Sequence, residues 1–495
     1  MIVPRWEWRA FGSRFGRAEG ALSEAASGPS QESDEVYFVA GTDGSPKIRD
    51  GLVDVKVLRE VDANGLERWE PVLKRAFPLP ADDVTTVFEA LGLDPPRPPE
   101  GVDTLERLIE RVSQQEGTVR IANVHKVRTR STLMGCMAEL ADVTVDGRAT
   151  RTIAIESEDA AAVIAAVRAL GLDGYVNTSY PRGLGALIRD EPRRYAAIDV
   201  GTNSVKFRVG ERSADGARRA IVDRAEITRL GEDLDRHGSI TEPALERTVD
   251  AIDGMVDEAR EQGVAAIVAV GTEGLRAAGN REDVIAAIRS RAGITVEVLS
   301  GEEESRLAYL AVEAELDLGD GTLVVFDTGG GSSQFTFGHG GRVDERFSVD
   351  VGAVRYTQTF GLAGAVTSQV LRDALASISD DLSRLDDRDP PDALVAMGGA
   401  VTNLAAVSHD MATYDPDVVQ GTVLHREEID RQIETYRSRD AEARREIIGL
   451  QPKRADVILA GACIVRTVME KLGQPAITVS DRGLRHGVLL ERFGA

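Results

Sequence analysis

The fold of the second half of this chain is decided by the segment Leu323-Val324-Val325-Phe326-Asp327-Thr328-Gly329-Gly330-Gly331-Ser332-Ser333. Its apolar residues predict a buried strand that ends at Asp327, followed by a tight turn into a second strand. Glycine lets the backbone approach a ligand closely, so the turn can direct several N–H groups at one phosphate. Taken alone, such a turn can also be merely a tight hairpin.

The same pattern occurs earlier in the chain. An apolar run from Tyr195 also ends in an aspartate, in the sequence Asp199-Val200-Gly201-Thr202-Asn203-Ser204. Aspartates at these strand ends are suited to Mg²⁺. From the two turns we select as phosphate-binding candidates Gly201, Thr202, Asn203, Ser204, Gly329, Gly330, Gly331, Ser332 and Ser333.

After residue 194, strands alternate with amphipathic helices, which predicts an α/β fold with a sheet flanked by helices. The segment 242–262 carries apolar residues at helical spacing, with Thr241 placed to cap it. We predict further helices near 282–292, 302–312, 367–386 and 453–472.

Two segments between the turns suggest further phosphate chemistry. Arg276 follows a predicted strand near a helix start, where arginine suits phosphate, although a surface ion pair is the alternative. Glu302, Glu303 and Glu304 begin the next helix, a position that the macrodipole favours for acidic residues whatever their function. Hydrolysis needs a carboxylate that orients water and accepts its proton, and one of these glutamates could supply it.

The region before residue 190 has a different pattern. Segments such as Val53–Leu58 and Glu139–Val145 alternate in the manner of strands, which predicts an α+β and mostly antiparallel domain. The segment 16–31 lacks an apolar period, and we predict a mobile loop there. Pro-rich residues 95–99 form one break, and the charged segment 189–194 forms the break that we take as the domain boundary.

Composition limits the class of protein. The chain has 495 residues, 42% of them hydrophobic, and a formal charge of −23. That charge argues against nucleic acid and anionic membranes as partners, because lysine and arginine contacts to phosphate hold such ligands. No apolar run is long enough to span a bilayer and no secretory signal is evident, so we expect a cytoplasmic protein. Cys136 and Cys463 are too few for a disulfide framework or a cysteine metal site.

In their order and spacing, the segments from about Tyr195 to Phe493 resemble the exopolyphosphatase and guanosine pentaphosphate phosphohydrolase family. The resemblance implies an actin-like, ribonuclease-H-like two-domain fold with an interdomain cleft. Domain I would span 191–312, with the last helix near 483–495 returning to it, and domain II would span 313–482.

The resemblance also implies roles for individual residues. Glu304 matches the family's catalytic base, and Asp327 matches a Mg²⁺-binding aspartate, with Mn²⁺ as the other candidate ion. Phosphate-clasping positions match Gly201, Asn203, Ser204, Arg276, Gly330, Gly331 and Ser332. Gln334 replaces a usual glutamate, which keeps an oxygen ligand but loses a charge, so it is a weak metal candidate beside Asp327 and Asp199.

Residues 1–190 resemble the CYTH domain, a tunnel-like β-barrel that binds triphosphates or longer chains through basic residues and metal-binding glutamates. The polyphosphate-binding candidates are Lys47, Arg49, Lys56, Lys126, Arg128 and Arg130. Alternation places the last three on one side of a strand, as it would on any half-exposed strand. The family's opening pattern of two glutamates and a lysine is degraded to Trp6-Glu7-Trp8-Arg9, so we expect binding from this domain more than catalysis.

These inferences predict an exopolyphosphatase that hydrolyses the terminal phosphate of inorganic polyphosphate, using a metal and a water activated by Glu304. Guanosine pentaphosphate is the alternative substrate, because fold similarity does not distinguish the two. A nucleotide-dependent kinase and a non-catalytic polyphosphate sensor are the alternatives from other classes. The oligomeric state is left open, with a homodimer among the candidates.

Overall fold

The computed structural model describes residues 3–95, 102–115, 117, 119–213, 217–232, 234–316, 318–319 and 321–495. Most of the proline-rich break at 95–99 therefore lies outside the described residues. The chain divides into two compact units, Met1–Val298 with Leu489–Ala495, and Leu299–Val488. The three-domain boundaries expected from the sequence stay predictions. Within the described residues, no helix is long and apolar enough to cross a membrane.

The first unit begins with a barrel and its surrounding helices. Their bounds are β1 (Arg5–Gly12), α1 (Arg17–Glu24), β2 (Gln31–Val39), β3 (Gly44–Arg49), β4 (Leu52–Val61), β5 (Glu67–Ala76), β6 (Leu79–Pro80), α2 (Ala81–Ala90), β7 (Val102–Asp103), α3 (Leu105–Ser113), β8 (Arg120–Leu133), β9 (Cys136–Val145), β10 (Arg148–Ser157), α4 (Ala160–Ala169) and α5 (Tyr180–Arg189).

Eight antiparallel strands close the barrel in the order β1-β10-β9-β8-β2-β3-β4-β5, which confirms the antiparallel barrel. Three of its hairpins turn at two residues with positive φ, namely Asp50-Gly51, Met134-Gly135 and Asp146-Gly147. Such turns match the right-handed twist of the paired strands, so the local sequence favours the meander.

Helices cover the outside and one end of the barrel. Apolar residues of α2 and α3 pack on outward-facing side chains of β3 to β5. From α5, Tyr180 and Leu184 pack with Phe11, Tyr37 and Val39 of the strands. The loop predicted at 16–31 is wrong, because residues 17–24 form α1. Only Ala18 and Leu22 of this helix are buried, four residues apart, so its apolar period is too short to see in the sequence.

The first unit continues with an α/β sheet. Its elements are β11 (Arg193–Val200), β12 (Ser204–Arg212), β13 (Arg218–Ile227), α6 (Leu234–His237), α7 (Glu242–Glu261), β14 (Ala266–Gly271), α8 (Glu273–Ala277), α9 (Arg281–Ala292) and β15 (Val296–Val298). The strand order is β13-β12-β11-β14-β15, with β11, β14 and β15 parallel and the other two antiparallel. Thr241 occupies the position before α7, but its side chain makes no capping hydrogen bond, contrary to the prediction.

The second unit repeats this sheet. Its elements are α10 (Gly301–Glu315), β16 (Thr322–Thr328), β17 (Ser333–His339), β18 (Arg342–Val349), α11 (Ala353–Phe360), α12 (Ser368–Asp381), β19 (Ala393–Met397), α13 (Gly399–Ser408), α14 (Pro416–Val419), β20 (Val423–His425), α15 (Arg426–Arg437), α16 (Ala441–Arg444), α17 (Ile458–Lys471), β21 (Ala476–Val479) and α18 (Leu484–Phe493), with 3-10 turns at Ser383–Leu385 and Pro452–Arg454.

In the second sheet the order is β18-β17-β16-β19-β21-β20. In each sheet, the strand that carries the aspartate has two antiparallel strands on one side and two strands parallel to it on the other. This arrangement confirms the internal duplication. The second sheet also has β20 as an antiparallel edge strand. The main core of the second unit surrounds α17, in which eleven of fourteen residues are buried.

Residues near the C-terminus join the barrel to the first sheet inside the first unit. The Phe493 ring stacks on Tyr195 of β11 at 4.1 Å. The carbonyl of Arg492 accepts a hydrogen bond from the Ser13 amide at 2.8 Å, and its guanidinium bonds Glu297 at 3.0 Å. The barrel and the first sheet are thus packed together through α18.

A fully buried arginine holds the second unit together. The Arg444 guanidinium and its Nε donate to the carbonyls of Tyr436, Leu362, Ala455 and Gly364 at 2.7–3.2 Å. Replacement by methionine would leave four carbonyl groups without that donor. We expect Arg444→Met to destabilise the unit by about 3–5 kcal/mol, seen as a lower midpoint in thermal unfolding followed by circular dichroism.

The control is Arg445→Met, since Arg445 is exposed and pairs with Glu442 in the same turn. Surface pairs of this kind contribute about 0–1 kcal/mol. Equal midpoints for the two variants would contradict the structural role of Arg444.

Candidate functional site

The two glycine turns have the same internal hydrogen bond. In the first, the Gly201 amide donates to the Ser204 carbonyl at 3.1 Å, and in the second the Gly329 amide donates to the Ser332 carbonyl at 2.9 Å. The second turn leaves Gly329, Gly330 and Gly331 exposed. Each turn thus joins two paired strands through four residues, 201–204 and 329–332, directly after the strand that carries the aspartate.

Neighbouring backbone fixes both turns from behind. The Thr202 carbonyl accepts from the Gly231 amide at 2.8 Å, and the Gly330 carbonyl accepts from Val354 at 2.8 Å. A Cβ at Gly352 would lie 2.3 Å from the Gly330 oxygen, and one at Gly274 would lie 3.0 Å from the Thr202 hydroxyl. At Gly352 a side chain would collide with the turn backbone, whereas at Gly274 it would make a tight contact that a small shift can relieve.

The aspartates at the two strand ends lie in different surroundings. Asp199 is 3% exposed, and its Oδ2 lies 3.3 Å from the Lys206 ammonium. Asp327 is half-buried, and a Cβ on Gly398 would lie 2.6 Å from its Oδ1. Among the described residues no group of three or more His, Cys, Asp or Glu side chains could hold a metal. Any ion at Asp327 would therefore take most of its ligands from water or substrate.

The side chains that follow the second turn make hydrogen bonds within the protein. Ser333 is fully buried, and its hydroxyl donates to the Val351 carbonyl at 2.7 Å. The Gln334 amide donates to the hydroxyls of Ser332 at 2.8 Å and Ser348 at 3.3 Å. The proposed phosphate role of Ser333 and metal role of Gln334 stay predictions.

An arginine that the sequence did not single out lies near Asp327. A Cβ on Gly399 would lie 2.4 Å from Arg454 Nη2. Burial lowers the pKa of Arg454, and the nearby charge of Asp327 opposes this. Arg454 follows the Pro452 turn before α17, so its only sequence signal is a Lys-Arg pair at a helix start.

The helix α10 brings Glu304 to the same side of the second sheet as Asp327. In the second half of α10, Tyr309 lies against Gly338 of β17, which pairs with Leu323 near the start of β16. At the start of the helix, Gly301 lies against Arg346 of β18, which is level with Val325, further along β16. The helix therefore runs antiparallel to β16, with its first turn toward the Asp327 end. Glu303 pairs with Arg306 and Glu302 with Arg346, whereas Glu304 is half-buried on that first turn.

The region around Arg276 is a short turn of helix in the first unit. Arg276 is half-buried in α8, and its amide donates to the Thr272 carbonyl at 3.0 Å. Gly274 of the same helix lies against Thr202. The structure thus places α8 beside the first glycine turn, and the phosphate role of Arg276 stays a prediction.

A separate site lies inside the barrel. A cavity of about 590 Å³ is lined by eight cationic side chains and four acidic ones, in a protein whose formal charge is −23. All six basic residues predicted from the strands line it, together with Arg5 and Arg9; the six are Lys47, Arg49, Lys56, Lys126, Arg128 and Arg130.

One buried carboxylate organises the cations. The side chain of Glu35 is 0% exposed, and its oxygens lie 3.1 Å from Lys47, 3.3 Å from Arg128, 3.5 Å from Arg49 and 3.6 Å from Lys126. Burial alone would raise the pKa of Glu35, but Lys126 and Lys47 outweigh it and hold that pKa well below its usual value. Glu35 could not be predicted from the sequence, because its four cationic partners lie on two other strands.

Burial changes the lysines as well. It lowers the pKa of Lys47 and of Lys126 to about 8, despite nearby carboxylates that act in the opposite direction. The Lys126 ammonium also lies 4.1 Å from the centre of the Tyr180 ring. Both ammonium groups are therefore mostly charged at neutral pH and lose their charge as the pH rises through about 8.

The repeated sheet, with an Asp-ended central strand and a glycine turn in each copy, defines an actin-like protein of the ribonuclease-H-like class. Residues 211–494 match the Ppx/GppA phosphatase family. The chain belongs to this family.

Its relatives include exopolyphosphatase 1 of Mycobacterium tuberculosis, 29% identical over 305 residues that cover 61% of this chain and 88% of that protein. A bifunctional 3-dehydroquinate synthase/phosphatase of Fusobacterium nucleatum is 27% identical over 312 residues, and the match spans only 46% of its length. The crystal structure of the Aquifex aeolicus Ppx/GppA family member is 34% identical, with a TM-score of 0.56, and covers 61% of this chain and 97% of that one.

The close approach of Gly352 to the second glycine turn provides a test of the site. In Gly352→Ala the new methyl group must displace the Gly330 carbonyl, because 2.3 Å is far below van der Waals contact. We expect phosphatase activity to fall about 100-fold while the circular dichroism spectrum is unchanged, because small misplacements at a phosphate site are costly. Phosphate release is measured on tripolyphosphate.

Gly254→Ala is the control, since a Cβ at that position of α7 meets nothing within 4 Å. It should keep full activity. Wild-type activity in Gly352→Ala would show that the turn does not position the substrate.

Proposed function

We propose that this protein is an exopolyphosphatase, which hydrolyses the terminal phosphate of inorganic polyphosphate and releases orthophosphate. The observation that carries the proposal is the exposed glycine turn at Gly329–Gly331 after the strand ending at Asp327, with the first turn of α10 toward the same end of that strand. Membership of the Ppx/GppA phosphatase family and the named exopolyphosphatases among its relatives support it.

In the proposed reaction, amides of the glycine turn bind the terminal phosphoryl oxygens, since N–H groups and small side chains there suit an anion. Glu304 orients a water molecule and accepts its proton as the water oxygen attacks phosphorus. The bond to the bridging oxygen breaks, so orthophosphate leaves and the shortened chain keeps that oxygen. Arg454, near Asp327, is placed to offset charge on the phosphoryl group.

A divalent ion, Mg²⁺ or Mn²⁺, is part of the proposal. The donors present fit Mg²⁺, which is commonly held by one or two carboxylates together with water and substrate phosphates. In the second unit Asp327 would hold it, with the Gln334 amide oxygen as a weak second ligand. In the first unit Asp199 is the corresponding carboxylate candidate. When bound, the ion supplies neutralisation of charge on the phosphoryl oxygens.

Substitution at Glu304 tests the catalytic assignment. Glu304→Gln keeps the shape of the side chain but cannot accept the proton of water, so we expect phosphate release to fall by about 10²–10⁴-fold. Orthophosphate from long-chain polyphosphate is measured with Mg²⁺ present, and thermal unfolding checks the fold.

Glu302→Gln is the matched control in the same helical turn, because the Glu302 side chain is 82% exposed. It should retain activity. Unchanged phosphate release by Glu304→Gln would remove Glu304 from the mechanism.

Guanosine pentaphosphate is the second candidate substrate, because the matched family includes phosphatases of both names. Competition kinetics with polyphosphate and guanosine pentaphosphate would distinguish them. A much larger kcat/KM for the nucleotide would replace the first proposal.

For the barrel, we propose that the cavity holds an oligophosphate by its excess of cationic side chains. This binding should depend on pH because Lys47 and Lys126 must be protonated to attract phosphate. Since their pKa is about 8, affinity for tripolyphosphate should be full below about pH 7 and fall as the pH rises through about 8. Isothermal titration calorimetry at a series of pH values measures the change.

Lys126→Arg is the control for this pH profile, because a guanidinium stays charged throughout the range. Its affinity should depend less on pH than that of the wild type. A wild-type affinity that stays constant from pH 7 to about 9 would show that the two lysines do not contact the anion.

A further inference from the structure

Along β8, the side chains that face into the barrel become more exposed from residue 122 to residue 130. Ala122 and Val124 are 0% and 1% exposed, and the next two inward-facing side chains, Lys126 and Arg128, are 3% and 9% exposed. Arg130, two residues further on, is 54% exposed. Along this strand the cavity therefore has an apolar floor, then a buried cationic wall and then an open mouth.

Two other strands show the same gradient. On β1, Phe11 lies in the apolar cluster, whereas Arg9 and Glu7 have side chains 5% and 11% exposed. On β9, Ala141 and Val143 are 1% exposed, Glu139 is 18% exposed and Met137 reaches 45%. The apolar end and the open end are thus shared by strands on this side of the barrel.

The helix α5 closes the apolar end. Tyr180 stacks on Tyr37 at 5.3 Å and meets Phe11 edge-on at 5.8 Å, and Leu184 joins the same buried cluster. Within the part of the chain that the structure describes, the cavity is therefore a blind socket. An elongated anion must enter and leave through the mouth near Arg130 and Thr132.

Donors at the bottom of the socket point to an anionic occupant. Arg128 Nε is buried and has no hydrogen-bond partner among the described residues. Lys126 contacts Glu35 at 3.6 Å, which is longer than a hydrogen bond, and lies over the Tyr180 ring. Phosphate oxygens are strong acceptors for both groups.

The acidic side chains do not fit a divalent ion. Glu7 lies 2.9 Å from Arg9 and 3.6 Å from Lys56, while Glu139 lies 3.7 Å from Arg9 and 3.9 Å from Arg130. Glu35 is surrounded by four cations, as described above. These three carboxylates are already neutralised by cationic neighbours. Glu156 and Asp54 also line the cavity, and burial together with the charge of Glu7 raises the pKa of Glu156. Among the described residues, no group of three or more carboxylates, histidines or cysteines could hold a metal ion, in contrast to the metal-binding glutamates that the CYTH resemblance implies.

We propose that the barrel is a socket for the end of an oligophosphate chain, which cationic side chains hold without a divalent ion. The proposal rests on the oligophosphate-binding role given to the barrel above and adds the blind geometry and the independence from metal. A volume of about 590 Å³ is in the range of small-molecule sites, so the socket takes a few terminal phosphate units and leaves the rest of the chain outside. The barrel therefore anchors a chain end and does not thread the polymer.

The test measures binding of tripolyphosphate and of long-chain polyphosphate to the full-length Glu304→Gln protein by isothermal titration calorimetry, in EDTA and in Mg²⁺. The binding whose affinity falls in Lys126→Met/Arg128→Met is assigned to the socket. We expect that component to persist in EDTA and to weaken about tenfold or more on removal of the two cations. For long chains, it should saturate at one protein per chain end, whatever the chain length.

Because the double substitution alters buried charges, Arg130→Gln and Thr132→Trp at the mouth provide a second test. Arg130→Gln should weaken binding several-fold, and Thr132→Trp should block entry while every cation remains. Arg59→Gln is the matched control, since Arg59 is 52% exposed on β4 and does not line the cavity. Long chains capped at both ends with a bulky amine should lose the socket component.

Three results would overturn the socket. These are a number of bound proteins that rises with chain length, capped chains that bind as well as free ones, or socket binding that requires Mg²⁺. If none of the barrel variants changes binding of any oligophosphate, the barrel's binding role itself is wrong. Phosphate release by the wild type and by Glu302→Gln is measured separately, so failure of the exopolyphosphatase proposal remains distinguishable.

Discussion

Burying like charges together requires a group of the opposite sign that holds them, and Glu35 meets this constraint in the barrel. Its carboxylate contacts four cations from β3 and β8, which would otherwise repel one another inside a closed sheet. An unpaired buried charge is far more costly than a paired one. Four of the eight cations in the interior of an otherwise acidic protein thus depend on a single acidic residue in its wall.

The two glycine turns solve a related problem with backbone instead of side chains. Each turn is held by one internal hydrogen bond and by carbonyl contacts from behind, so its backbone geometry fixes the direction of its amides. In the proposed function the barrel holds anions by charge, whereas the turns bind them by geometry. The proposal therefore gives one chain two kinds of phosphate recognition.

Features that are contiguous in sequence could be predicted, and those assembled from distant segments could not. The Asp-ended strands and glycine turns are continuous runs, and the alternation in Lys126, Arg128 and Arg130 places them on one face of β8. Glu35 and Arg454 depend on strand register and on packing of distant segments, which no local pattern records.

The closed end of the barrel could likewise not be predicted from the sequence. Alternation shows which side chains face inward, but Tyr180 comes from a helix far along the chain from β2, so the closed end has no local signature. The short helix α1 was missed because it buries only Ala18 and Leu22. Both cases reflect tertiary contacts that override weak local periodicity.

Two contacts also determine when the parts of the first unit can join during synthesis. They are the stacking of Phe493 on Tyr195 and the hydrogen bond from Ser13 to the Arg492 carbonyl. Ribosomes add about 5–20 residues per second, so Ser13 leaves the ribosome roughly 25 to 95 seconds before its partner near residue 492 is made. The barrel strands can pair during that time, but the junction with β11 and β15 waits for the far end of the chain. Nascent chains therefore carry this junction surface uncovered throughout synthesis, where chaperones can reach it.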